Sequence, residues 1–228
     1  MRVTQRDIQT PAGRRVRLLL PEDAPQILIY MHGHSEEASA CAAALERGGA
    51  VALVQDVDWN ADLSPWPAPR AFARGEDFSG RADAYLTELV ESVLPAVEAG
   101  LAAPIRTRAI AGYSLAGLFA LYAAWGSAAF QRCASMSGSL WYDGFLDHLR
   151  SRAPVGGLER CYLSLGDREG RAKDPRIAAV EPCTRAAAEL LTALGVPNRL
   201  VTHPGGHFRD VPERISQGLL AMVEDWDG

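Results

Sequence analysis

The feature that most constrains this chain is a regular alternation of short apolar runs with longer segments of helical periodicity. Residues 26–31 (QILIYM), 50–57 (AVALVQDV), 107–112, 131–136, 160–165 (RCYLSL) and 199–202 read as strands. The first is apolar almost without a break, as strands covered on both faces are. Residues 37–46, 81–99, 115–125, about 176–194 and 211–226 carry helical patterns. Gly48-Gly49 stops the first, and Leu86, Leu89, Val90 and Leu94 share one face of the second. Pro182 is expected to break or kink the fourth. Alternation of this kind yields an α/β fold with a mostly parallel sheet and helices on both faces. Residues 3–10 and 15–20 add an antiparallel edge hairpin, turning through Pro11-Ala12-Gly13.

Composition narrows the partners. At 228 residues and 48% hydrophobic, the chain has material for a substantial core and is not a disordered polymer. A net charge of −5 without a charged block argues against nucleic acid or an anionic membrane as main partner. Lys173 is the only lysine, so nearly all positive charge is arginine, a bias of composition rather than a site. The first residues lack an apolar signal region, and no run is long enough to span a bilayer. Cys41, Cys133, Cys161 and Cys183 are far apart with no C-x-x-C pair, which reads as buried thiols in a reducing cytoplasm. No repeat or linker divides the chain, so residues 1–228 are expected to form one domain. Only 58–80 and 137–159 are spare beyond the strands and helices, too little for a large cap. Nothing sets the oligomeric state.

The chemistry centres on Ala109-Ile110-Ala111-Gly112-Tyr113-Ser114-Leu115-Ala116-Gly117, which puts a serine between a strand and an apolar helix. Small residues two before and two after the serine fit a nucleophile elbow, whose tight turn brings the strand and helix backbones together. Alanine, not glycine, fills the second small position. The helix behind Ser114 would present free N–H groups, and the Leu115 amide would face a developing oxyanion. The alternative is a serine that merely caps a helix.

A serine hydroxyl needs a base. Of His32, His34, His148, His203 and His207, the last sits in Pro204-Gly205-Gly206-His207-Phe208, a loop after the final strand. His207 is the preferred base, with His203 as competitor. The acid belongs in Gly166-Asp167-Arg168-Glu169-Gly170, after RCYLSL. Glu169 is preferred slightly over Asp167, which stands nearer the strand and could bond turn amides; Asp174 is third. The run His32-Gly33-His34-Ser35 supplies the second oxyanion donor, an amide near Gly33 or His34. The H-G-H pattern also suggests metal ligands, but no carboxylate cluster accompanies it, so no metal or other cofactor is expected. Trp59, Trp66 and Trp141 are candidate pocket walls, with Arg70, Ser137, Ser139 and Tyr142 nearby. A loop packing on itself is the equal alternative.

HGH after one strand, GYSLAG after a later one, LGDRE after another and GGHF near the end together resemble an α/β-hydrolase. The group they are most similar to is the Putative esterase group, with its esterase D-like and enterochelin-esterase-like enzymes. The segment from Asp58 to Pro69 resembles small bacterial members of that group. The resemblance implies a mostly parallel eight-stranded sheet, with Ser114, the acid and His207 at its carboxyl edge. It implies hydrolysis of a small-molecule carboxylic ester through an acyl-enzyme on Ser114. An acyltransferase or thioesterase on the same machinery, a peptidase and a non-catalytic binding protein are the alternatives.

Overall fold

The computed structural model describes residues 3–33, 39–71 and 75–226. Its strands, in chain order, are β1 (Thr4–Gln9), β2 (Arg15–Leu20), β3 (Ile27–His32), β4 (Gly49–Val54), β5 (Pro67–Ala68), β6 (Phe78–Ser79), β7 (Thr107–Tyr113), β8 (Arg132–Met136), β9 (Arg160–Gly166) and β10 (Asn198–His203). All but β5 and β6 join one sheet of eight strands in the order β1-β2-β4-β3-β7-β8-β9-β10. Only β2 opposes the common direction, pairing antiparallel with β1 and with β4. β5 and β6 form a small ribbon of their own.

The period-two pattern sorts side chains between two cores. Leu28, Tyr30, Ala50, Ala52, Ile110 and Leu163 face one side. There they meet α3 (Ala82–Glu88), α4 (Leu94–Glu98), α5 (Leu115–Gly126), α6 (Phe145–Ser151) and α8 (Val180–Ala193). Ile29, Met31, Val51, Leu53, Ala111 and Met136 face the other, under α1 (Ala42–Glu46) and α9 (Val211–Val223). α5 is buried along nearly its whole length, which explains its lack of a polar face. Truncating its fully buried Phe119 or Trp125 to alanine would cost about 3–5 kcal/mol.

The structure refines the sequence reading at several places. Pro182 breaks the fourth helical segment, as one of the two expected alternatives, rather than kinking it. The segment divides at Ala179 into α7 (Pro175–Ala178) and α8, and Pro182 sits in the first turn of α8, where its missing N–H costs nothing. Between α3 and α4 the backbone widens into a π turn, Leu89–Val93. Pro95 has no N–H to return to Glu91, so the regular ladder cannot continue there. Residues 58–80 are not wholly irregular: α2 (Trp59–Asp62) and the β5–β6 ribbon lie within them. The strand expected to reach Val57 ends at Val54, two residues before Asp56 at φ 57°. The first part of the helix expected over 37–46 lies outside the described residues. Among the described residues, no helix is long and apolar enough to cross a membrane.

Candidate active site

Ser114 stands at the turn from β7 into α5, with φ 61° and ψ −122°. A non-glycine residue there stores roughly 1–3 kcal/mol of strain, which surrounding contacts must hold. Its N–H donates to the Met136 carbonyl, and its carbonyl accepts from the Gly117 and Ser139 N–H groups, each at 3.0 Å. The small neighbours have a direct reason. A Cβ on Gly112 would lie 2.2 Å from the Ala116 carbonyl oxygen, and one on Gly117 would lie 3.0 Å from the Gly138 Cα. The alanine at 116 is accommodated because Gly112 opposite it has no side chain.

From Ser114 a continuous chain of hydrogen bonds runs inward. Ser114 Oγ lies 3.0 Å from His207 Nε2, and His207 Nδ1 lies 2.8 Å from Glu169 Oε2. A carboxylate only accepts, so Nδ1 carries the proton and Nε2 is left to receive the serine hydroxyl. The other oxygen, Glu169 Oε1, accepts from the Gly166 N–H at 2.6 Å, Ser137 Oγ at 2.8 Å and Arg214 Nη1 at 3.0 Å. Burial alone would raise the Glu169 pKa. The hydrogen bond and charge of His207, with the Gly166 and Ser137 donors, outweigh it and hold the carboxyl below the ordinary glutamate range.

Arg214 and Tyr113 are not among the residues the sequence reading selected. Arg214, wholly buried on α9, also donates to the carbonyls of Pro204 at 3.2 Å and Gly206 at 3.0 Å, clasping the loop that carries His207. Tyr113 donates its hydroxyl to the His207 carbonyl at 2.5 Å. A signal for Arg214 exists in the sequence. It occupies the apolar stripe of α9 with Ile215, Gly218, Leu219 and Met222, where a charge is out of place unless paired.

The rival candidates are placed elsewhere. Asp167 Oδ1 accepts the Gly205 N–H at 2.7 Å, so it braces the histidine loop rather than the imidazole. Asp174 caps α7 by accepting the Arg176 N–H at 2.8 Å. His203 ends β10 and is buried, and burial lowers its pKa. His32 is buried with Nε2 2.8 Å from Tyr85 Oη, and burial pushes its pKa down to about 3, keeping it neutral. His148 stacks on Tyr122. Among the described residues, no three His, Cys, Asp or Glu side chains are placed to share a metal ion.

Gly33 is buried directly after β3, beside the β7 end that leads to Ser114; His34 lies outside the described residues. The Leu115 N–H opens α5, where the helix provides no acceptor for it. Trp59 and Trp141 line space around Ser114. Trp66 does not. Its indole donates to the Asp143 carbonyl at 2.8 Å and its ring meets Tyr142 and His148, so it packs the 58–80 segment against the 137–159 segment. Tyr142 is likewise buried, bonded to the Trp66 carbonyl.

An eight-stranded sheet with one opposed strand, a strained serine behind a central strand, and His and Glu on loops after later strands define an α/β-hydrolase. The family model described as "Putative esterase" matches residues 9–211, and the chain belongs to that family. It is 32% identical over 115 residues to YbbA, an uncharacterised protein of Bacillus subtilis (strain 168). That match spans 49% of this chain and 46% of YbbA, so the chain matches about half the length of this curated relative. The fold resembles an IroE-like serine hydrolase from Shewanella oneidensis, with a TM-score of 0.78 and 15% identity over 96% of this chain and 79% of the other. It also resembles the siderophore hydrolase EstA from Aspergillus nidulans, with a TM-score of 0.75 and 18% identity over 97% and 94% of the two chains.

Proposed function

We propose that this protein hydrolyses a small-molecule carboxylic ester through an acyl-enzyme on Ser114. The observation that carries the reading is the unbroken Ser114–His207–Glu169 chain of hydrogen bonds beside an open pocket. Ser114 Oγ attacks the ester carbonyl while its proton passes to His207 Nε2. The negative charge on the carbonyl oxygen is met by the Leu115 N–H and by a second amide just after β3, near Gly33 or His34. The C–O bond to the alcohol breaks, and the departing oxygen takes the proton from Nε2. Water then attacks the acyl-enzyme with His207 again as base, releasing the acid and restoring Ser114. Glu169 fixes the imidazole orientation and stabilises the imidazolium.

The same reading takes residues 1–228 as one α/β-hydrolase domain. It places the protein in the cytoplasm, supported by the wide spacing of Cys41, Cys133, Cys161 and Cys183 without a C-x-x-C pair. A fluorophosphonate probe tests the mechanism. It should label the wild-type protein and fail on Ser114→Ala, and the variant should lose turnover of p-nitrophenyl esters. A folded wild type that resists the probe would overturn the proposal.

A further inference from the structure

Among the described residues, Ser114 borders two unequal chambers. The larger, about 480 Å³, contains His207 and is walled by Trp141, Ile177 and a rim of Arg168, Arg171 and Lys173. The smaller, about 170 Å³, contains Leu115 in place of His207 and has Arg70 and Glu76 in its wall. Trp141 and Ser139 belong to both and mark the division.

Acyl transfer gives the two chambers different duties. The departing alcohol oxygen must come within reach of the proton on His207 Nε2. The alcohol half of the ester therefore extends into the larger chamber. The acyl half, on the far side of the carbonyl carbon, extends past Leu115 into the smaller one.

The two sides also differ in charge. Among the described residues, no carboxylate lies within 4.0 Å of Arg171 or Lys173, and Arg168 has only Asp167, at 4.0 Å. Both carboxylates on that wall are engaged, Glu169 with His207 and Arg214, Asp174 with the Arg176 N–H. In the smaller chamber Arg70 is paired with Asp77 at 3.7 Å, and Glu76 adds a negative charge. Among the described residues, the three rim cations outweigh the unpaired charge of Asp174, so the field favours an anion on the alcohol side. Between the rim and Ser114 the wall is apolar. Phe208, 83% exposed, stands edge-on to the His207 ring at 5.0 Å, beside Ile177 and Trp141. Lining the chamber, that ring offers apolar contact area to a ligand within it.

We infer that the substrate is a small, uncharged acyl group esterified to an alcohol that bears an anionic group beyond an apolar segment. The apolar segment lies on Phe208, Ile177 and Trp141, and the anion meets Arg171 and Lys173, with Arg168 beside them. This rests on the acyl-enzyme reading, because His207 as proton donor is what assigns the alcohol to its chamber.

Matched esters test it. 3-Acetoxybenzoate and its methyl ester differ in one charge on the alcohol side. Phenyl hemisuccinate and phenyl butyrate differ in one charge on the acyl side. At low ionic strength, kcat/KM should be about tenfold higher for 3-acetoxybenzoate than for its methyl ester, the sum of a few exposed charge pairs. The ratio should fall toward one in about 0.5 M salt, and again in the double variant Arg171→Ala/Lys173→Ala, whose replaced side chains are exposed. Phenyl hemisuccinate should be the poorer of the acyl-side pair. A wild-type ratio at or below one, a ratio untouched by the double variant, or no turnover of either acetate overturns the inference. Fluorophosphonate labelling run alongside separates the two levels. Labelled protein with such a result removes this inference alone, and unlabelled protein removes the mechanism beneath it.

Discussion

Arg214 and Glu169 form an ion pair at 3.0 Å with their side chains 1% and 3% exposed. The pair ties α9 to the loop after β9, directly behind His207. Removing one member leaves the other charge buried without its partner, which costs about 3–5 kcal/mol. Glu169→Gln should therefore be much less stable than wild type at neutral pH. The Glu169 pKa is lowered by folding, so its stabilisation is present above the unfolded value and lost as pH falls through the folded one. The gap between wild type and variant should then narrow below about pH 4.5, an unperturbed glutamate value. Denaturant titrations of both proteins at neutral and acid pH measure this.

The two loop acids should separate cleanly in kinetics. Glu169→Gln should lower kcat by about 10⁴-fold, as loss of a triad carboxylate does. Asp167→Asn weakens one hydrogen bond to the Gly205 N–H and should cost tenfold or less, given about 0.5–1.5 kcal/mol per bond. Steady-state assays on one p-nitrophenyl ester compare them, and equal losses would count against the geometry.

Tyr113 is a positioning residue, since its hydroxyl holds the His207 carbonyl rather than substrate. Tyr113→Phe should reduce kcat by about tenfold with KM little changed, the consequence of losing the bond to the His207 carbonyl together with the one the hydroxyl accepts from Arg214 Nη1 at 3.3 Å. A merely structural hydroxyl would lower thermal stability and leave kcat alone, so both are measured.

The strain at Ser114 predicts a trade between stability and activity. Glycine tolerates φ 61° and ψ −122° without penalty. Ser114→Gly should abolish turnover and raise the melting temperature, by relief of about 1–3 kcal/mol less the entropy glycine adds to the unfolded chain. Calorimetry of the variant decides it.

The tryptophans should divide by role. Trp141→Ala should change KM, because the ring walls both chambers. Trp66→Phe deletes an indole hydrogen bond to the Asp143 carbonyl and should lower stability by about 1 kcal/mol while leaving kcat/KM nearly intact.

Much of the architecture was legible because it depends on periodicity. Short apolar runs such as GAVALV in β4 fit strands covered twice, and their alternation with helices points to parallel pairing. The elbow was legible because the close approach of β7 and α5 demands small residues at 112 and 116, a local requirement written in local sequence. His207 stood out for its two preceding glycines. Pro182 was legible as a breaker, because it has no N–H to return to the carbonyl of Ala178, while the start of the second helix was not visible in the pattern. Trp66 was misread because composition cannot say which way a ring turns.

The sequence by itself determined the elements, their order and a short list of candidate groups, since spacing along the chain governs all three. Only the tertiary structure chose among groups that the chain leaves equivalent. Asp167 and Glu169 sit two residues apart on one loop, and the 3₁₀ turn Glu169–Arg171 directs one inward to His207 while the other meets the Gly205 amide. Arg214 reaches Glu169 across 45 residues. Packing α9 against the sheet brings these charges together, and no periodicity records a contact made at that separation.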